Sequence, residues 1–373
     1  MTPSIDRVET FVVNYPTVGQ FKFFTAAPHQ PPGRITAFVK LTTNTGIVGW
    51  GQCVPSPRWS YETIESVTTL IERYLAPVLI GEPDWIGLLT DDGDFWRRVI
   101  AGGFSIGHPI AKAGVNLALW DLYGQLTQQS LAQLWQRPTC ETVEMSWTLD
   151  VTNVPALAFD SLAEQVAAAR ARDYRSFNFK LGRGLELDSA LCRELRSLAP
   201  QAHVWVDANG GLDLDTALAI APVLADLGIA AIEQPLPGNR ISWYRRLKQQ
   251  GALPILLDET ITTAVELAEF HELGMLDGAV LKVARSGGLS ESLKIAELAE
   301  QRGLLLYGSG LTDPDVSLAA SLHLFAACDL PQPVALNGPQ YLTKSVLREP
   351  IQVHGPFATV PTGVGLGVLP DLP

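Results

Sequence analysis

A chain of 373 residues is too long for one core of ordinary size and suits one large barrel joined to a smaller domain. Hydrophobic residues at 47% and charged residues at 18% make a globular composition rather than a disordered one. The net charge of −12, from 27 Lys+Arg against 39 Asp+Glu, argues against nucleic acid as a partner, because that needs a basic surface.

Cys53, Cys140, Cys192 and Cys328 lie far apart and form no C-x-x-C pair, so they read as buried thiols of a reduced, cytoplasmic protein. The start Met1-Thr2-Pro3-Ser4 lacks the basic and apolar stretches of a signal peptide, and no apolar run is long enough to span a membrane. Neither export nor a membrane partner is expected.

The first elements are strands. Val8 to Val13 and Thr36 to Thr42 carry strand patterns, and a turn at Asn44-Thr45-Gly46 leads into a third strand from Ile47 to Gln52. Between the first two, Gln20 to Arg34 is rich in Phe, Pro and Gly and reads as a loop. Ser60 to Leu79 then places Ile64, Val67, Leu70, Ile71 and Leu75 at helical spacing, and Gly81 and Pro83 end it. Asp94 to Val99 reads as helical, and Pro109 to Trp135 as a long helix or a pair of helices. Together, residues 1–130 read as an α+β capping domain.

From Val143 onward, short apolar strands alternate with amphipathic helices. The strands are Val143–Trp147, Ser176–Lys180, His203–Asp207, Ala230–Glu233, Pro254–Asp258, Gly278–Lys282 and Leu304–Gly308; Leu162–Ala171, Leu214–Leu227 and Glu291–Arg302 are among the helices. Such repetition implies parallel strands with right-handed crossovers, in a barrel or an open sheet. No G-x-G-x-x-G follows the early strands, which weakens a dinucleotide-binding sheet. The fold expected is α/β, a (β/α)7–8 TIM-type barrel over residues 131–345, with residues 346–373 packing back on the capping domain.

Five consecutive strands end in Lys180, Asp207, Glu233, Asp258 and Lys282, at spacings of 27, 26, 25 and 24 residues. Each step is one βα unit, and in a barrel these strand ends ring a single mouth. Three carboxylates there would repel one another, and a hard divalent cation relieves this; all-oxygen ligation suits Mg²⁺. Positive charge beside a substrate carboxylate would stabilise the enediolate formed when a proton leaves the neighbouring carbon. A lysine on each side suits base and acid roles. Nearby positive charge and partial burial should favour its neutral form.

The segments Phe179-Lys180-Leu181-Gly182, Val206-Asp207-Ala208-Asn209, Ile232-Glu233-Gln234-Pro235, Leu257-Asp258-Glu259 and Leu281-Lys282-Val283-Ala284-Arg285-Ser286-Gly287-Gly288 closely resemble the enolase superfamily in its muconate-lactonizing subgroup, part of the mandelate racemase/muconate lactonizing enzyme family. In that superfamily a Lys or His base acts with Mg²⁺. The resemblance extends to the capping domain through Gly46 to Gln52, Tyr61-Glu62-Thr63 and Ala118-Leu119-Trp120-Asp121-Leu122, and spans residues 5–345. It implies that Asp207, Glu233 and Asp258 are the metal ligands and that Lys180 and Lys282 are the acid/base pair. Asn209 and Glu259 would support the ligands from behind, and self-association into a homo-oligomer is implied. The loop Gln20 to Arg34 and the segment Pro55 to Ser60 would close over a small carboxylate substrate and select it.

The sequence departs from the family pattern in three places. A lysine is usual two residues before the first base; here Asn178 stands there, losing a charge but keeping a hydrogen-bond donor for a carboxylate. The acidic residue found near the last strand in muconate cycloisomerases, or the D-x-D of dipeptide epimerases, is missing from Val334-Ala335-Leu336-Asn337. No histidine follows Leu304–Gly308, which disfavours a racemase with a histidine base; Ser309 and Thr312 take that place, with Asp313 and Asp315 nearby.

Any one of the strand-end acids alone would read as a helix cap or a surface charge, and either lysine alone as an ion-pair partner. The ordered set of five makes chance the poorer account. Arg285 reads as holding the carboxylates in place, and Glu259 as either structural or functional. The six histidines show no ligand spacing. His29 is a candidate substrate contact, although a solvated loop histidine is the favoured reading. Trp59 and Phe24, with Phe21 and Phe23, could cap the mouth, whereas Trp50, Trp120, Trp147 and Trp205 read as core.

The preferred expectation is a Mg²⁺-dependent isomerase, a racemase or epimerase of an N-substituted amino acid or related carboxylate. The alternatives are cycloisomerisation of a muconate-like diacid and β-elimination as in dehydratases or succinylbenzoate synthases. The reading from a different class is a metal-binding barrel without turnover. Fold alone does not choose among them.

Overall fold

The computed structural model describes residues 2–19, 21–23, 33–89, 107–154 and 158–373. The chain opens with an antiparallel sheet of β1 (Ile5–Tyr15), β2 (Arg34–Thr43) and β3 (Val48–Cys53); the first two are longer than the sequence pattern suggests, and the third is shifted by one residue. The turn at Asn44–Gly46 joins β2 to β3 as expected. A helix follows over Ile64–Leu70, continues through a π turn at Ile71–Leu75 and ends at Ala76–Leu79. It starts at Thr63 rather than Ser60, because Thr63 and Ser66 cap each other reciprocally there. The expected helix at Asp94–Val99 lies outside the described residues, as does most of the Gln20 to Arg34 loop.

The region from Pro109 to Trp135 is a pair of helices, Pro109–Thr127 and Leu131–Trp135. The first is buried on nearly all sides, between the capping sheet and the barrel. Glycines make its approach to β3 possible: a Cβ on Gly51 would lie 1.9 Å from the Gly114 carbonyl oxygen, and one on Gly114 would lie 2.1 Å from Cys53 Sγ.

The barrel sheet is parallel, in the order β5 (Trp147–Leu149), β6 (Ser176–Lys180), β7 (His203–Asp207), β8 (Ile232–Glu233), β9 (Ile255–Leu257), β10 (Gly278–Leu281) and β11 (Leu305–Gly308). The helices Ala158–Arg170, Leu185–Leu198, Leu214–Asp226, Ile241–Gln250, Ala264–Glu272, Leu289–Arg302 and Asp315–Cys328 follow these strands in turn. Val334 and Ala335 bridge the remaining gap, pairing in parallel with Met145 on one side and Ser309 on the other. The single strand expected over Val143–Trp147 is in fact two. β4 (Thr142–Glu144) leaves the barrel and pairs with β13 (Phe357–Thr359), which pairs with β12 (Val353–His354).

Strand register places the reactive ends at one level. Lys180 pairs with Asp207 and Asp207 with Glu233, while Asp258 and Lys282 follow the last paired residues of β9 and β10. Two residues earlier on the same inward face lies an enclosed layer of Trp205, Ala231, Leu256 and Val280, joined by Tyr307 and Ala335. This layer is the floor of the site.

The C-terminal segment touches the capping domain at several points. Leu366 donates its N–H to Asp121, Gly365 bridges to Ser130, and Lys40 reaches the Pro373 carbonyl. Burial holds for Cys53 and Cys192, but Cys140, in the connection before β4, is exposed, and Cys328, at the end of the Asp315–Cys328 helix, is half-buried. Among the described residues no helix is long and apolar enough to cross a membrane.

Candidate active site

The carboxylates of Asp207, Glu233 and Asp258 are all buried, and one oxygen from each lies within 4.8 Å of the others. Each is held by a different set of donors. Lys180 Nζ meets Asp207 Oδ2 at 2.5 Å, and the Asn209 backbone N–H meets Asp207 Oδ1 at 2.7 Å. Lys282 Nζ donates to Asp258 Oδ2 at 2.6 Å, and Arg285 donates to Asp258 Oδ1 at 2.5 Å and to its carbonyl at 2.7 Å. Arg285 thus anchors Asp258, the one carboxylate of the three that it touches.

Among the described residues no cation bonds Glu233 directly. Asn178 Nδ2 donates to its Oε2 at 3.2 Å and Trp205 Nε1 to the same atom at 2.9 Å. Asn178, where the family has a lysine, therefore supplies a neutral donor to a carboxylate. Trp205 was expected only as core; it is buried, but its indole also orients Glu233. The signal was available, since Trp205 lies two residues before Asp207 and so points to the same face.

The electrostatics follow from this arrangement. Burial, then repulsion from Asp207 and Asp258, pushes Glu233 well above the usual carboxyl range. Burial also pushes Asp207 upward, but Lys180, Lys22 and Lys282 outweigh it and hold that carboxyl below its ordinary value. For Lys180, burial lowers the pKa, yet Asp207 and Glu233 more than offset it and raise it. The expectation of a depressed lysine is thus reversed by the surrounding carboxylates; it requires a dication among them to cancel their charge.

Three clustered, buried oxygen donors fit a hard divalent cation. The donor sets agree: both hydrogen bonds to Glu233 fall on Oε2, so Oε1 receives neither.

Around this centre Asn209 Nδ2 links Asp207 Oδ2 to Glu259 Oε1, each at 3.0 Å. Asn209 adopts a left-handed φ of 45° to do so. Burial, then Asp258 and Asp207, raises the Glu259 carboxyl to about 7. Glu259 also receives the Trp59 indole N–H at 2.9 Å.

Above the carboxylates lies a cavity of about 280 Å³ between barrel and capping domain. Lys180, Lys282, Asn178, Ser309, Thr312 and Asn337 line its barrel side, and Trp59 and Phe23 its capping side. The expected contacts Trp59, Ser309 and Thr312 are thereby brought together. Phe24 and His29 lie outside the described residues.

Sequence reasoning missed Arg34, Thr148 and Leu311, which also line the cavity. Arg34 is buried and donates to the carbonyls of Leu311, Pro55 and Val54, joining lid and barrel. No local pattern marks it, because its partners are backbone atoms distant in sequence. The Lys22 backbone N–H bonds Asp150, which places the segment Phe21–Phe23 at the cavity's edge.

Residues 161–373 match the family described as enolase C-terminal domain-like, and residues 22–135 match the mandelate racemase / muconate lactonizing enzyme N-terminal domain. A chloromuconate cycloisomerase of Cupriavidus necator is 30% identical over 369 residues, covering 98% of this chain and 96% of the relative. Muconate cycloisomerase 1 of Rhodococcus opacus is 30% identical over 375 residues, covering 98% and 95%. Among solved structures, 2-chloromuconate cycloisomerase from Rhodococcus opacus superposes with a TM-score of 0.85 at 27% identity, over 100% of this chain and 98% of that one. Muconate lactonizing enzyme from Pseudomonas fluorescens, complexed with muconolactone, gives 0.86 at 27%, over 99% and 97%. The chain therefore belongs to the mandelate racemase / muconate lactonizing enzyme family of the enolase superfamily, and it is an isomerase.

Proposed function

We propose that this isomerase is a cycloisomerase acting on a muconate-type dicarboxylate, with Mg²⁺ held by Asp207, Glu233 and Asp258. The observation that carries this reading is the full-length likeness to cycloisomerases, combined with a lysine on either side of one carboxylate trio. The expected preference for racemising an N-substituted amino acid finds no support among these relatives. Cavity charge agrees with an anionic substrate: Arg34, Arg58, Lys180 and Lys282 line it against Glu65.

In such a reaction one carboxylate of the substrate adds to a carbon–carbon double bond. Electron density moves to the other carboxylate as an enediolate, and a lysine ammonium then protonates the carbon between. The chemistry a bound Mg²⁺ supplies is positive charge opposite the carboxylate that gains this density. Lys180 or Lys282 carries the proton, and Arg285 keeps Asp258 in place. Asn178 and Trp205 orient Glu233; Asn209 and Glu259 brace Asp207. Ser309, Thr312 and Trp59 form the walls that meet substrate.

The test is incubation with cis,cis-muconate and its chlorinated derivatives in D₂O with Mg²⁺. The expected result is a lactone carrying one solvent deuterium beside the carboxylate. If no lactone forms while N-acyl amino acids exchange their α-proton, the racemase reading replaces this one. No reaction with either class would overturn both readings.

A further inference from the structure

The segment between β3 and the Ile64–Leu70 helix is pinned at both ends. Arg34 holds the Val54 and Pro55 carbonyls, and the Glu62 carboxylate accepts the backbone N–H groups of Ile110 and Ala111. Between these anchors a turn closes on Ser56, whose carbonyl accepts the N–H groups of Trp59 and Ser60. This turn sends two aromatic side chains across to the barrel. Trp59 Nε1 donates to Glu259 Oε1 at 2.9 Å, and the Tyr61 hydroxyl donates to the Glu259 carbonyl at 2.6 Å. Both land on the residue next to Asp258.

The face of Trp59 is also occupied. Lys282 Nζ lies 4.1 Å from the ring centroid, while Phe23 packs on Trp59 with centroids 4.9 Å apart. Lys282 is thus held between the Asp258 carboxylate and an indole face. A ring attracts an ammonium through its quadrupole without accepting a conventional hydrogen bond, so it fixes position while leaving N–H groups for a substrate carbon. Among the described residues no ring contact of this kind joins Lys180, whose side-chain partner is Asp207.

We infer that Trp59 is a positioning residue, whose indole N–H latches the lid segment to Glu259 while its ring face sets the Lys282 ammonium. Lid closure and placement of Lys282 are then a single event, whereas Lys180 is linked to the latch only at a distance, through Asp207, Asn209 and Glu259. The inference rests on Lys282 having the acid/base role proposed above.

Trp59→Phe keeps a ring face but loses the N–H, whereas Trp59→Leu loses both. With cis,cis-muconate as substrate and saturating Mg²⁺, Trp59→Phe should raise KM severalfold while kcat changes little, because lid docking is weakened. Trp59→Leu should in addition lower kcat about tenfold, a factor within the range of a desolvated cation–π contact. Equal kcat values for the two variants would overturn the inference.

A second readout needs no turnover. Wild-type minus Trp59→Phe emission isolates the Trp59 fluorescence, and Lys282→Met should change that difference spectrum while Lys180→Met leaves it unchanged. An unchanged spectrum in Lys282→Met would overturn the inference too. A wild-type enzyme inactive on muconate would count against the cycloisomerase reading alone, and the fluorescence comparison would then decide the role of Trp59.

Discussion

Two groups of buried acids in this molecule behave in opposite ways. In the capping domain, Asp121 accepts the backbone N–H groups of Trp50 and of Leu366 from the C-terminal segment, and Glu62 accepts those of Ile110 and Ala111. At the barrel mouth, Asp207, Glu233 and Asp258 crowd together and rely on side-chain cations and amides. Acids of the first kind complete the backbone's hydrogen bonding and knit distant segments together. Those of the second kind oppose one another, an arrangement that lowers stability and fits a divalent cation.

The largest expected effect lies at the mouth. Lys180→Met and Lys282→Met, assayed with cis,cis-muconate at saturating Mg²⁺, should separate the two lysines. The one that delivers the proton should lose about 10³-fold in kcat, in the range typical of general acid–base catalysis. Full activity in both variants would remove the mouth from the chemistry and leave the contrast without a functional meaning.

The contrast can also be broken by stability. Asp121→Ala removes two charge-assisted hydrogen bonds and strands the Trp50 and Leu366 amides, so it should cost about 3 kcal/mol in chemical denaturation. Glu233→Gln should do the reverse in Mg²⁺-free buffer, gaining up to about 1 kcal/mol and more as pH rises, because it removes a carboxyl that burial and its neighbours make costly to ionise. The same variant should lose the roughly 2.7 kcal/mol that Mg²⁺ at 100 times its Kd gives the wild type. Two variants that shift stability in the same direction would mean that the two groups of acids do not differ in kind.

The sequence reveals these regions unequally, and for physical reasons. Lys180, Asp207, Glu233, Asp258 and Lys282 stand out because each ends a short apolar strand one βα unit from the next, and parallel register brings them to one level. The floor of Trp205, Ala231, Leu256 and Val280 follows from the two-residue period of the same strands. Arg34 is not legible, because its acceptors are the carbonyls of Val54, Pro55 and Leu311, and carbonyls carry no sequence signature. The departure of β4 from the barrel is hidden for a similar reason. Val143 to Trp147 is apolar enough for one strand, and only the return of Phe357–Thr359 shows that its first half pairs elsewhere. The reversal at Lys180 needed three dimensions as well: the pKa depends on whether carboxylates or burial dominate, and that is a matter of distance.

The smallest effect concerns how the C-terminal segment is held. Leu366 is clasped from both sides: its N–H goes to Asp121, and its carbonyl lies 3.1 Å from His323 Nε2, which must carry the proton and donate. Burial lowers the His323 pKa from 6.5 to about 4, even though the Leu366 carbonyl favours the charged form. Its folded-state pKa is therefore depressed: the unfolded chain takes up a proton below about pH 6.5, and the folded chain resists until about pH 4. Stability from neutral His323 is thus complete above pH 6.5 and is lost as pH falls toward 4, by about 3 kcal/mol at most. Glu62 and Asp121 act in the opposite sense. Burial raises them to about 7 and about 6, so the folded protein binds their protons first and gains stability as pH falls through those values. The wild-type pH profile should consequently be flatter than any one of these groups would make it. Denaturant melts at pH 7.5 and pH 4.5 resolve them, because His323→Gln keeps an N–H for Leu366 and cannot titrate. Acidification should cost the variant about 2 kcal/mol less than it costs the wild type. Equal losses in the two proteins would mean that His323 takes up its proton at the same pH folded and unfolded, and that burial does not depress it.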